Sequence, residues 1–193
     1  GVQTCALPIL LRAMVRRLTD IGGGVLRLGA GASGKPFLAD HPEIQFNLSH
    51  SGAWVVCAVC SSPIGIDIEQ VRPVDIDLLA RYFTPCERDT LMRESPPDRL
   101  GRFFALWTAR ESYVKMTGRG LARSADAFEM VWNDPAHAHV EECSPHGKGI
   151  HVTVSGLLQG YRLAVCAHRS PAMDRLEMIP MERLLARKKI GRA

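Results

Sequence analysis

The period of the hydrophobic positions changes repeatedly along this chain, and each change marks an element. Residues 10–18 carry apolar side chains at 10, 11, 14, 15 and 18, with Arg12, Arg16 and Arg17 between them. That spacing is the stripe of an amphipathic helix. Residues 20–34 are glycine-rich and broken, with a short strand expected over residues 25–28. The glycines at 22–24 are not a phosphate loop, because no Gly-Lys-Ser/Thr follows at the required spacing. Lys35-Pro36 is extended, since a proline disfavours the helical region at the residue before it. Residues 46–50 form a strand, Ser51-Gly52 a turn, and residues 54–60 a second strand. Ser61-Ser62-Pro63 is a turn cluster that separates two halves of the chain.

The second half opens on a strict alternation. Ile64, Ile66 and Ile68 point one way, and Gly65, Asp67 and Glu69 the other. The pattern predicts a half-buried strand with two carboxylates on its polar face. Residues 77–82 read as helical. Thr84, Pro85 and Glu87 then supply an N-cap, a proline at the first helical position and a capping-box partner for another helix. Residues 98–115 form a long helix whose buried stripe is Phe103, Phe104, Leu106, Trp107 and Val114, and the glycines at 118 and 120 end it. Residues 128–132, 150–154 and 161–167 alternate as antiparallel strands, and residues 183–189 form a basic tail. The four histidines at 137, 139, 146 and 151 share no metal-ligand spacing on a single element and are read as surface residues. The fold class that follows is α+β.

With 193 residues, the chain suits one large domain or two small halves sharing a core. Hydrophobic content of 46% with 23% charged residues is that of an ordinary globular protein. The longest apolar run, residues 53–60, falls far short of the roughly 20 residues of a membrane span. A net charge of +4 suits acidic partners. The basic residues are dispersed apart from Arg187-Lys188-Lys189, so nucleic acid is not the expected partner. The six cysteines include one close pair, Cys57 and Cys60. An odd separation on a strand puts those thiols on opposite faces, against a shared metal or a disulfide. Reduced thiols in a cytoplasmic, monomeric protein are expected.

Trp107, Glu111 and Lys115 lie four apart and share one helix face. Packed against the alternating strand, that face lets Asp67, Glu69 and Glu111 converge with an ammonium one turn beyond. Three hard oxygen donors and a cation are what a Mg2+-bound polyphosphate needs. Each piece also has a plain structural reading. A strand Asp-x-Glu is usually a solvated face, and a helical Glu-x-x-x-Lys pair is worth roughly 0.2–0.5 kcal/mol.

The combination resembles a known family. Gly65-Ile66-Asp67, followed downstream by Trp107-Thr108-Ala109-Arg110-Glu111-Ser112-x-x-Lys115, looks like the signature pair of the 4′-phosphopantetheinyl transferases, and more closely of their surfactin-synthetase-activating type. Gly34-Lys35-Pro36, Phe46-Asn47-Leu48-Ser49-His50-Ser51-Gly52 and Phe83-Thr84-Pro85-Cys86-Glu87 fit that type in order and spacing. The resemblance implies two similar halves, each an antiparallel sheet packed with a helix and related by a pseudo-two-fold. Residues 10–62 would be a truncated, coenzyme A-binding N-terminal half, and residues 63–189 the half with the metal and catalytic motifs. Residues 1–9 and 190–193 resemble translated sequencing adapter and are expected to be non-native ends, so the family's upstream basic residues would be missing.

The implied reaction moves 4′-phosphopantetheine from coenzyme A to a serine of an acyl, peptidyl or aryl carrier protein. The resemblance makes Asp67, Glu69 and Glu111 the Mg2+ ligands. It puts Lys115 on the phosphate, Lys35 and Pro36 at the nucleotide end of coenzyme A, and His50 with Ser49 at its 3′-phosphate. Asp67 would also face the cofactor. Glu87 is either the capping residue described above or the acceptor of the serine proton, and the two roles are compatible. Arg110 stands where the family commonly has Lys, and a guanidinium cannot act as a base. A binding homologue without turnover and a metal-dependent phosphohydrolase remain as alternatives.

Overall fold

A computed structural model of the chain describes residues 2–18, 26–31, 34–118, 127–142, 149–171 and 176–186. Expectations for residues 22–24, 119–121, 143, 146, 187–189 and 190–193 lie outside the described residues.

Helix α1 (Val2–Leu18) leads into a short hairpin of β1 (Leu28–Ala30) and β2 (Pro36–Leu38), then a longer hairpin of β3 (Gln45–Ser51) and β4 (Trp54–Cys60). The helix begins at Val2 rather than at residue 10 and runs through Pro8. Residues 7–9 are half-buried, and α1 contributes Leu11 and Val15 to the core. Past the Ser61–Pro63 turn come β5 (Ile64–Gln70), α2 (Ile76–Leu79) with a following 3-10 turn, α3 (Pro85–Arg93) and α4 (Pro96–Thr117). Strands β6 (Glu129–Trp132), β7 (His137–Glu141), β8 (His151–Ser155) and β9 (Tyr161–Ala167) precede a short α5 (Met181–Ala186). The second half builds one antiparallel five-stranded sheet in the order β5-β9-β8-β7-β6. Each half is thus helix packed on antiparallel strands, as expected, although the halves differ in strand number. Among the described residues, no helix is long and apolar enough to cross a membrane.

The layers follow from the alternation. On β3 and β4, Phe46, Leu48, Cys57 and Val59 face α1, joining Leu11, Val15, Leu26, Leu38 and Ile44 in one cluster. Trp54, Val56, Ala58 and Cys60 face the other way and pack on Ile64, Ile66 and Ile68 of β5. Cys57 and Cys60 therefore sit on opposite faces, as the odd separation required. On the far side of the five-stranded sheet lies α4, whose Phe103, Phe104, Ala109, Tyr113 and Met116 meet Met130, Val140, Ile150, Val152 and Ala164.

Strand β5 lies where these layers meet, so over most of its length it is buried on both faces rather than half-buried. Its carboxylate face is not solvated, because α4 covers it. Asp67 is only 3% exposed. Gly65 permits the approach: a Cβ there would overlap the Ser112 carbonyl oxygen and stand 2.7 Å from the Met116 nitrogen. The helix backbone rests on the strand at the residue that has no side chain. Strand β7 was not expected from the histidines, yet Ala138 and Val140 point inward from it while His137 and Glu141 are exposed.

Candidate active site

Three elements bring the charged residues together. Strand β5 presents Asp67 and Glu69, α4 presents Glu111 and Lys115, and β3 presents Ser49. The Lys115 ammonium donates to Asp67 Oδ1 at 2.5 Å and to Ser49 Oγ at 2.8 Å. Ser49 in turn donates to Asp67 Oδ1 at 2.8 Å. Asp67 Oδ2 is buried and has no hydrogen-bond partner among the described residues. A buried, unsatisfied carboxylate oxygen is costly unless something positive completes it.

The neighbouring carboxylates show the same deficit of positive charge. Burial pushes the Glu111 carboxyl up to about 7, the Asp67 and Glu69 charges add to the rise, and Lys115 and Arg110 oppose it. Glu69 is raised by burial and then by Asp67, with the Ser51 hydroxyl opposing. Asp67 is raised by burial, against the pull of Lys115 and Ser49. The charges of Asp67 and Glu69 on the strand thus act on Glu111 on the helix. As they stand, no three of the described His, Cys, Asp or Glu side chains close into a metal cage. Mg2+ takes hard oxygen ligands from carboxylates, water and substrate phosphates. The donor chemistry, all hard oxygen with one oxygen orphaned, suits such an ion.

The other expected site residues lie elsewhere. The Lys35 ammonium donates to the Met116 carbonyl at 2.6 Å and so caps the end of α4, and burial lowers its pKa. Its charge is therefore directed at the helix end rather than outward, and the exposed Pro36 beside it opens β2. His50 is exposed on β3, with its ring in solvent on the strand face opposite to Ser49.

Glu87 is 4% exposed, and its bonds are structural. It completes the expected capping box, accepting from the Thr84 N–H at 2.9 Å while its own N–H donates to Thr84. It also accepts from the Met130 N–H at 2.9 Å and, at both oxygens, from Arg110 at 2.7 and 2.6 Å. Arg110 further donates to the Phe128 carbonyl and lies over the Phe128 ring. Trp107, though on the Glu111 face by spacing, belongs to an aromatic cluster with Tyr82, Phe83 and Phe103.

Reasoning from the motifs missed what orders this site from the first half. Asn47, Ser49 and Ser51 alternate on β3 and accept the N–H groups of Ile66, Ile68 and Gln70 at 3.0, 3.3 and 3.0 Å. Side chains thus take the place of a backbone ladder along the edge of β5. Tyr161 adds a further tie, its hydroxyl accepting the Ala53 N–H at 3.1 Å. The signal was legible: short hydrogen-bonding residues at every second position of an otherwise apolar hairpin.

Residues 63–166, from the start of β5 to the end of β9, match the model of the 4′-phosphopantetheinyl transferase superfamily. A 4′-phosphopantetheinyl transferase of Bacillus subtilis is 35% identical over 177 residues, which cover 92% of this chain and 79% of the relative. The 4′-phosphopantetheinyl transferase Sfp of Bacillus subtilis strain 168 is 31% identical over the same shares. Among solved structures, the holo-[acyl-carrier-protein] synthase of Thermotoga maritima superposes with a TM-score of 0.46 at 16% identity, covering 61% of this chain and 76% of that one. The family match over residues 63–166 and the two long Bacillus alignments agree: the chain belongs to the 4′-phosphopantetheinyl transferase superfamily, on the side of its surfactin-synthetase-activating type.

Proposed function

We propose that this chain transfers the 4′-phosphopantetheine group of coenzyme A to a serine hydroxyl of an acyl, peptidyl or aryl carrier protein. Mg2+ is the proposed metal and adenosine 3′,5′-bisphosphate the product released. One observation carries the reading: Lys115 bonds Asp67 where β5 passes under α4, Asp67 keeps an orphaned oxygen, and the Asp67 and Glu69 charges act on Glu111. The relatives named above, all transferases of this group, support it.

Asp67 Oδ2, Glu69 and Glu111 would hold the metal. When bound, Mg2+ offsets pyrophosphate charge and fixes the oxygens for in-line displacement. Lys115 spends two of its three N–H donors on Ser49 and Asp67, and the third serves a phosphoryl oxygen. Its anchoring by Ser49 and Asp67 keeps the ammonium from wandering on its flexible stem. His50, exposed on β3, is assigned to the 3′-phosphate, and the extended segment at Lys35 and Pro36 to the nucleotide end.

In the transfer, the serine oxygen forms a bond to the pantetheine-bearing phosphorus. The bond from that phosphorus to the bridging oxygen breaks, and adenosine 3′,5′-bisphosphate departs. The serine proton goes to a nearby acceptor. Arg110 cannot be that acceptor, because it stays protonated. Glu87 could take the proton only by loosening its bonds to Arg110, Thr84 and Met130. Catalysis on this scheme is positioning and electrostatic stabilisation rather than covalent work by the protein.

The test is intact-mass measurement of several apo carrier proteins incubated with the protein, coenzyme A and Mg2+. A gain of one phosphopantetheine group on the serine, with release of adenosine 3′,5′-bisphosphate, is expected. Hydrolysed coenzyme A with an unmodified carrier would instead indicate a phosphohydrolase, and no reaction with any carrier a binding protein without turnover.

A further inference from the structure

The contact between β3 and β5 repeats one arrangement twice. Ser49 Oγ accepts the Ile68 N–H and donates to the carboxylate of the preceding residue, Asp67. Two residues on, Ser51 Oγ accepts the Gln70 N–H at 3.0 Å and donates to the preceding carboxylate, Glu69 Oε2, at 3.0 Å. A hydroxyl has one proton to give. With the backbone N–H fixed on its lone pair, that proton is aimed at the carboxylate. Asn47 makes the first rung of the same series, accepting the Ile66 N–H. The residue before Ile66 is Gly65, so this rung has no carboxylate to hold.

Glu69 needs such a hold. It is half-buried beside Asp67, whose like charge repels it, and its longer side chain has rotamers that lead away into solvent. Ser51 offers a neutral donor on the strand of the opposite half, reaching Glu69 from outside the sheet that carries it.

We propose that Ser51 is a positioning residue that holds the Glu69 carboxylate in the cation-binding cluster, so that the first half of the chain sets the affinity of the second half for its divalent cation. The proposal rests on the function argued above. It involves no contact between Ser51 and substrate. Outer partners of ligating carboxylates typically change metal affinity about 10–100-fold when removed. Ser51 is one of several supports, so the expected effect of Ser51→Ala is about 10-fold weaker Mg2+ binding, with kcat at saturating Mg2+ within about 3-fold of the parent. Ser51→Thr keeps the hydroxyl and restores the affinity. Asn47→Ala breaks the equivalent rung without touching a carboxylate, so it lowers the melting temperature while leaving the Mg2+ affinity unchanged.

The experiment measures Mg2+ binding to the full chain by titration calorimetry with coenzyme A present, together with the Mg2+ dependence of transfer and a melting curve for each variant. A weakened Mg2+ affinity in Ser51→Ala, its rescue in Ser51→Thr and its absence in Asn47→Ala support the proposal. If the parent binds Mg2+ but Ser51→Ala binds it equally well, the positioning role is wrong and the function stands. Equal weakening in Ser51→Ala and Asn47→Ala would also overturn it, since the effect would then be loss of the strand contact alone. If the parent binds no Mg2+ at all, both the positioning role and the metal-dependent function fall.

Discussion

Replacing Glu87 by Ala should unfold this protein well before it informs on catalysis. Glu87 and Arg110 have side chains 2% and 9% exposed, and their oxygens and nitrogen lie 2.6 Å apart at the closest. Removing one partner of a buried pair leaves the other charge uncompensated, a loss of about 3–5 kcal/mol. Arg110 would lose both of its bonds to Glu87 while its contacts to the Phe128 carbonyl at 3.2 Å and the Phe128 ring remain. The same substitution strips the capping box of α3 and the acceptor of the Met130 N–H. For a chain of this length each kcal/mol moves Tm by about 2–4 °C, so Glu87→Ala should melt roughly 6–20 °C below the parent. The double variant Glu87→Leu/Arg110→Met removes both charges and should recover at least half of that loss. The assay is thermal unfolding by circular dichroism on the parent, Glu87→Ala, Glu87→Leu, Arg110→Met and the double. A Glu87→Ala protein that melts within about 2 °C of the parent, or a double variant whose loss equals the sum of the Glu87→Leu and Arg110→Met losses, would refute the stabilising role of this buried pair. Glu87→Gln that melts with the parent yet transfers nothing would move Glu87 from scaffold to proton acceptor.

Other expectations follow from the same geometry. Gly65→Ala should cost at least about 1–3 kcal/mol, because α4 must lift off β5; an unchanged urea midpoint would contradict that. Glu111→Gln should keep the melting temperature of the metal-free parent or raise it while abolishing transfer, and near-normal turnover at saturating Mg2+ would remove Glu111 from the site. Because the folded Glu111 carboxyl is raised to about 7, the native state binds more protons than the unfolded chain between the ordinary carboxylate range and neutrality. Stability of the metal-free protein should therefore fall as pH rises through that window, by roughly 1–3 kcal/mol given the partial solvation of the site. The fall should be smaller in Glu111→Gln, where only the raised Asp67 and Glu69 carboxyls remain to contribute, and unfolding midpoints measured in chelator across pH 5–8 read it directly. Lys35→Met should destabilise by about 1 kcal/mol through the lost cap on the Met116 carbonyl, and a loss of coenzyme A affinity without loss of stability would show instead that the ammonium serves the nucleotide.

Much of this molecule could be read from period and punctuation. The capping box at Thr84 and Glu87, the β4 strand at residues 54–60 and the long helix carrying Glu111 and Lys115 all depend on local rules, and local rules are written in short stretches of sequence. The packing of the helix that carries Glu111 on the strand that carries Asp67 was inferable too, once the two motifs were read together. What could not be read was which partner each charge would find. Arg110 sits next to Glu111 in sequence but turns inward to Glu87, because helical neighbours point in different directions. Lys35 reaches a helix end far along the chain. The burial of the Asp67 face depends on Gly65 admitting the α4 backbone, a tertiary fact that the alternation alone cannot supply. Strand β7 was obscured by its histidines, exposed His137 and half-buried His139, which carry no hydrophobic signal while only Ala138 and Val140 mark the inner face.

The most direct measurement is of coenzyme A phosphorus resonances in the presence of the protein and trace Mn2+, a hard octahedral ion able to stand in for Mg2+. With the parent chain, Mn2+ should broaden the pyrophosphate signals strongly and the 3′-phosphate signal less, because Asp67, Glu69 and Glu111 would hold the ion on the pyrophosphate. With Glu111→Gln that selective broadening should be lost. Pyrophosphate broadening that is equally strong in Glu111→Gln, or broadening centred on the 3′-phosphate in the parent, would contradict a metal held on the pyrophosphate by the carboxylates of β5 and α4.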